Sequence, residues 1–158
     1  MRSNIVRRVI VSAFGVLLTF LVTFTSANAQ ILSSQISSAP AVTSSQYVDI
    51  PGLFLTLPPK SATQTFALVI LNVPTPYASG NNFPGVSFAV SVMGTVVAQG
   101  AFTYSQQTPQ SFGRMPTTIV VKVPLTTAYQ TVWGRWCTIR NSVGHIDSFA
   151  SLSAVIGK

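Results

Sequence analysis

The sequence predicts an all-β protein: an antiparallel, two-sheet jelly-roll sandwich of about eight to ten short strands behind an N-terminal export signal. Three observations point there. Beyond residue 29 the apolar residues recur with period two, as in Val86-Ser87-Phe88-Ala89-Val90-Ser91-Val92, the pattern of a strand with one face on a core. No window in that region carries an i, i+3, i+4, i+7 stripe of helical length. Clusters of Pro, Gly and Asn cut the chain at short, even spacings.

The elements follow in order. Arg2, Arg7 and Arg8 precede an uncharged run, Val9 to Ser26, and Ala27-Asn28-Ala29 supplies the small residues of a cleavage site, so residues 1–29 read as a secretory signal peptide. Residues 30–46 hold six Ser, one Pro and no charge and read as a Ser-rich linker or tail, with Ile31, Leu32 and Ile36 as apolar points that dock on a partner or neighbouring subunit. Residues 47–158 are then one domain. Its expected strands are 52–57, 65–73, 86–92, 95–98, 100–104, 117–123, 131–139, 145–148 and 150–156. Met93-Gly94 is read as a tight hairpin, and Pro58-Pro59, the stretch Pro74 to Gly85, Thr108-Pro109, Met115-Pro116 and Asn141 to Gly144 as turns. Phe66 to Leu71 is apolar on both faces, which predicts cover on both sides, most simply from another copy of the chain. Around Val132, alternation places Trp136 inward and Trp133 with Arg135 outward, where an indole marks a contact surface.

Composition excludes more than it assigns. Only 7% of the residues are charged, nine basic against two acidic, for a formal charge of +7, whereas soluble domains average roughly 25% charged residues. Three of the nine belong to the signal. The other six are scattered, without the clustered stripe that nucleic acid requires. The lone Cys137 lies in an apolar stretch and reads as a packed, free thiol. One His and two carboxylates supply no metal spacing and no cofactor motif, no G-x-S-x-G elbow is present, and His145 with Asp147 reads as a surface pair sharing one face of a strand. The reading is therefore non-catalytic, with no metal, no cofactor and no membrane span after signal cleavage.

Tyr47 to Leu57, Val92 to Val97, Val123-Pro124-Leu125 leading to Thr131 to Trp136, and Ser151 to Ile156 together resemble the jelly-roll domain shared by tumour necrosis factor and the globular head of complement component one q, of the type found in secreted bacterial and phage proteins. The resemblance covers roughly Tyr47 to Gly157. It implies a ten-stranded sandwich and a threefold trimer packed about an apolar axis. Two departures stand against it: no Gly-X-Y stalk precedes the domain, and a Gly occupies the usual polar position within the Trp136 strand.

The candidate contacts are loops and one strand face. Tyr77, Asn81, Asn82 and Phe83 lie in a long uncharged loop combining rings with amides, the chemistry of neutral-sugar recognition. Phe112 and Arg114 lie in a second loop, Ser105 to Met115, that combines rings and amides with one charge, and Trp133 with Arg135 forms the outward strand face. The two loops make one site only if they meet at the same rim. The leading expectation is a secreted, non-catalytic structural or interaction domain that self-associates and displays loops for protein or surface binding; the alternative is a lectin-like carbohydrate-binding module using the loop 74–85.

Overall fold

The computed structural model describes residues 29–158; the expected signal peptide, save for Ala29, lies outside the described residues. Eleven strands account for the ordered backbone: β1 (Gln30–Ile36), β2 (Ala41–Val42), β3 (Val48–Leu57), β4 (Phe66–Val73), β5 (Pro76–Ser79), β6 (Gly85–Val92), β7 (Thr95–Thr103), β8 (Thr117–Pro124), β9 (Gln130–Ile139), β10 (Val143–Ile146) and β11 (Ala150–Gly157). Among the described residues there is no helix. Two four-stranded sheets, β1-β11-β4-β8 and β3-β9-β6-β7, form an antiparallel sandwich, and a three-stranded sheet, β2-β10-β5, is added to it. The edges are closed by β1 lying against β3 and β7 against β8.

Alternation dictates this packing. On β4 the inward Ala67, Val69, Leu71 and Val73 are fully buried, as are Val86, Phe88 and Val90 on β6. Trp136, 1% exposed, packs against Phe88 with ring centroids 6.2 Å apart. Met93 and Gly94 turn the β6–β7 hairpin with φ of 50° and 85°, the doubly positive conformation a two-residue hairpin loop requires. Every residue of β6 is buried: its outward Ser87, Ala89 and Ser91 are small, and the larger neighbours on β9 and β7 close over them.

Three expectations need correction. Residues 30–46 are no linker, since β1 pairs with β11 from Gln30↔Ile156 to Ile36↔Ala150, and β2 pairs with β10. Ile36 and Val42 enter this chain's own core; the ladder partner lies over a hundred residues away, and Ser tolerates an extended backbone. The stretch Pro74 to Gly85 is not all turn, because it contains β5. The strand expected at 145–148 runs two residues earlier, as Val143–Ile146.

Candidate functional site

The small sheet places Tyr77 of β5 directly opposite His145 of β10. Their rings stack with centroids 4.4 Å apart and 9° between planes, and Ser79 Oγ lies 3.1 Å from His145 Nε2. The inward neighbours Ala78 and Ile146 are fully buried, so the core fixes which way the two rings point.

The segment between β7 and β8 then comes across this sheet. Met115 N donates to Pro76 O at 3.0 Å, fixing the segment to β5. The Arg114 guanidinium sits 4.2 Å from the centroid of the Tyr77 ring. Its Nε and Nη2 both donate to Asp147 Oδ2, at 2.9 and 2.7 Å, and its Nη1 donates to Phe112 O at 2.8 Å. Phe112 stands 6.5 Å from Tyr77 and 6.0 Å, edge to face, from Tyr104. The Tyr104 hydroxyl donates to Gly113 O. Burial holds the His145 pKa below its ordinary value and the Arg114 charge lowers it further, against a partial opposing pull from Asp147. Burial likewise pushes the Tyr104 hydroxyl up.

The loop 80–84 continues this rim. Phe83 N donates to Gln107 O at 3.0 Å, so the two predicted loops meet at both ends of the rim. Arg140 lies 5.3 Å from the Phe83 ring, and Asn81 and Asn82 are exposed beside it. Tyr77, Phe112 and Arg114 therefore come together, with Asn81, Asn82 and Phe83 at one margin. Trp133 and Arg135 do not join them: they lie on the outer face of β3-β9-β6-β7, against Phe54 and Asp49.

Sequence reasoning placed His145 and Asp147 together as a pair. Instead Asp147 pairs with Arg114, and His145 with Tyr77 and Ser79. Ser79 and Tyr104 are not singled out by the sequence; for Ser79 the available signal is the alternation Tyr77-x-Ser79, which pairs with Val143-x-His145 of β10, and for Tyr104 no local pattern marks it. Cys137 is free and buried, and burial pushes its thiol pKa up. Among the described residues no group of three or more His, Cys, Asp or Glu could hold a metal ion, and no helix is long and apolar enough to cross a membrane.

Comparison with known proteins gives one family. The Bc2l-C N-terminal domain family matches residues 25–155. No curated protein matches the chain. Of solved structures, dimeric latent PorU from Porphyromonas gingivalis is similar with a TM-score of 0.50 at 10% identity, over 82% of this chain but 13% of that one. The chain thus spans a small part of PorU, and the likeness is one of fold. The CBM36-1 domain of a multidomain xylanase from the hindgut metagenome of Trinervitermes trinervoides aligns with a TM-score of 0.41 at 13% identity, over 79% of this chain and 96% of that one.

Proposed function

The chain belongs to the Bc2l-C N-terminal domain family, and we propose that it is a secreted, non-catalytic domain that binds carbohydrate at the Tyr77–Arg114 rim. The observation that carries this is the meeting of the two amide- and aromatic-bearing loops at one place, around an arginine of the second loop fixed by its carboxylate. A pyranose has an apolar face that stacks on a ring and equatorial hydroxyls that need planar donors and acceptors. Tyr77 and Phe112 offer the first; Arg114, Asp147, Asn81 and Asn82 offer the second. Arg114 and Asp147 neutralise one another at the centre of the rim, which suits a neutral sugar ring there, with Arg140 as the charge at its Phe83 margin. The same ion pair supports the non-catalytic reading: the Ser79–His145 contact resembles a nucleophile and base, but the carboxylate that would orient His145 is held by Arg114.

The test is a glycan array probed with the exported protein, followed by titration of any hit. Tyr77→Ala is expected to weaken binding by about tenfold or more, and Asn82→Ala by less. Silence across the array, or unchanged affinity in Tyr77→Ala, overturns the reading.

A second observation favours self-association. The outward face of β1-β11-β4-β8 carries Ile31, 70% exposed, Val120, 55%, and Leu68, 37%. Register places Ile31, Val155 and Leu68 in one row and Ile70 beside Val120 in the next. The first row ends in Lys122 and the second continues through Ser153 and Ser33; an exposed patch of aliphatics of this kind is a surface a homo-oligomer buries, a trimer being the form the jelly-roll resemblance implies. Light scattering decides it: a stable monomer at micromolar concentration removes this part of the proposal.

A further inference from the structure

The lysines and the arginines of the described residues are sorted in space. Register puts the ends of β3, β6, β8 and β11 and the starts of β1, β4, β7 and β9 at one pole of the sandwich. Backbone hydrogen bonds tie the loops there together: Lys60 N donates to Thr126 O at 2.6 Å, Leu125 N to Thr65 O at 2.9 Å, Thr65 N to Gly157 O at 2.8 Å and Met93 N to Thr131 O at 2.9 Å. All three lysines of the described residues, Lys60, Lys122 and Lys158, are exposed at this pole, Lys122 with its ammonium 4.2 Å from the ring of Phe66 at the start of β4. No Asp or Glu side chain accompanies them. Asp49 is held higher on its sheet by Arg135, and Asp147 by Arg114. Even with Lys158 set aside, Lys60 and Lys122 give this pole a positive sign. The Tyr77–Arg114 rim, built on the loops that lead into β6 and β8, stands at the opposite pole.

A second, independent feature marks the same pole. Its loop tips expose large apolar side chains: Met93, 66% exposed, on the β6–β7 turn, Val96 and Val97 just beyond it, and Tyr129, 68% exposed, on the β8–β9 connection. Thr131 N donates to Met93 Sδ at 3.3 Å, so the turn and that connection lie side by side. An exposed apolar cluster rimmed by polar groups marks a contact with a protein or a membrane. A two-fold contact between copies through this pole would set lysines against lysines with no carboxylate to pair them. An anionic bilayer meets both demands: Met93 and the valines enter the acyl boundary, Tyr129 rests at headgroup level with its hydroxyl in water, and the lysines face lipid phosphates.

We propose that this pole docks on the surface of an anionic lipid bilayer and holds the domain with the opposite rim facing away from the membrane. The entry of the chain agrees with that orientation: Gln30 opens β1 at this pole, so the apolar run Val9 to Ser26 of the sequence leads into the domain from the side that meets the bilayer. The contact is peripheral and reversible, because a few loop side chains and two or three lysines bury far less than a spanning segment. It is independent of what the rim binds, since the two surfaces share no residue.

Vesicle sedimentation tests it. The exported chain is mixed with vesicles of pure phosphatidylcholine and with vesicles of equimolar phosphatidylcholine and phosphatidylglycerol. The expected result is pelleting with the mixed vesicles and not with the neutral ones, reversed in molar sodium chloride, where surface charge is screened. Lys60→Gln should weaken partition about fivefold, and Met93→Asp about tenfold or more, by losing apolar contact and adding a charge the lipid repels. Circular dichroism and light scattering should match the parent in both. No pelleting with the mixed vesicles, equal pelleting with the neutral ones, or unchanged partition in either variant overturns the proposal. So does a Met93→Asp variant that changes oligomeric state, which assigns the pole to a contact between copies. Retention on immobilised polyglutamate without vesicle binding assigns the lysines to an acidic protein and overturns it likewise.

Discussion

The two outer faces of the sandwich are built on the same alternation and end in opposite states. On β3-β9-β6-β7 the outward side chains are small on the central strand and large on its neighbours, so Tyr47, Arg135 and Trp133 fold over Ser87, Ala89 and Ser91 and bury them within one chain. On β1-β11-β4-β8 the outward residues are mostly aliphatic, Ser or Gly; Asn72 with Thr118 and Lys122 with Phe66 reach across one strand pair toward its ends, and Leu68, Val120 and Ile31 stay bare. Lys122, whose ammonium lies 4.2 Å from the Phe66 ring, is the one charge in that set. Side-chain length on the central strand and its neighbours, rather than hydrophobicity, decides which face closes on itself and which is left for something else.

The strongest way to break the contrast is to charge the bare face. Leu68→Lys sets a second cation opposite Lys122, its register partner on β8. In a lone chain the position is a surface one, where substitutions change stability by about 0.5 kcal/mol or less. In an apolar interface an uncompensated charge costs about 3–5 kcal/mol. The expected outcome is loss of the oligomer in light scattering with little change in Tm; a variant that assembles like the parent removes this face from any interface. Next in size is the point where the two sheets approach each other. A Cβ on Gly134 would lie 3.2 Å from Leu71 Cδ1 of the opposite sheet and 3.3 Å from Leu53 Cβ. Gly134→Ala should therefore cost about 1–3 kcal/mol by overpacking in denaturant melts, and a neutral result would mean the sheets separate easily there.

These contrasts also mark what the sequence made legible. The period of two disclosed the class, the Met93-Gly94 hairpin and the opposite faces of Trp133 and Trp136, because each is local. It disclosed the doubly apolar Phe66–Leu71 strand, whose outward half the fold does leave uncovered. It did not disclose β1, since Ser-rich residues 30–36 become a strand only by pairing with β11, a partner distant in sequence. The rim was half legible. Tyr77, Phe112 and Arg114 stood out by composition, whereas His145 joined Tyr77 only through a cross-strand register that no local pattern encodes. Asp147 was matched to its nearest neighbour in sequence, and the two-atom fork of Arg114, reaching it from another loop, won the carboxylate.

On the closed face the expected effects are smaller and opposite in sign. Tyr47→Phe deletes the hydroxyl that joins Ser87 and Gln99 and should cost about 1 kcal/mol, the usual net worth of a hydrogen bond. Ser91→Ala removes a fully buried hydroxyl that has no partner and should raise stability by about 1 kcal/mol, toward the low end of the penalty for an unsatisfied group. Chemical denaturation measures both, and a Ser91→Ala variant less stable than the parent would mean that the hydroxyl is paired in solution.

The smallest expected effect belongs to the third sheet, which serves as a control outside both faces. His145 meets Tyr77 and Ser79 from β5 and Ala41 from β2, with Arg114 and Asp147 as the charges nearby. Burial, then Arg114, holds its folded pKa below the 6.5 of an unperturbed histidine. The unfolded chain therefore binds the proton first as pH falls, and the folded state loses ground from just above that value until its own imidazole is charged. Stability should decline on acidification through this window, and His145→Gln should flatten the slope. Because Arg114 and Asp147 pull in opposite directions, the drop in Tm is modest and sharpest in low salt, where the Arg114 charge is least screened. A parent and a His145→Gln variant with the same Tm profile from about pH 8 to about pH 5 would show that the stack tolerates the proton, and that Tyr77 is held in place by Arg114 and the core alone.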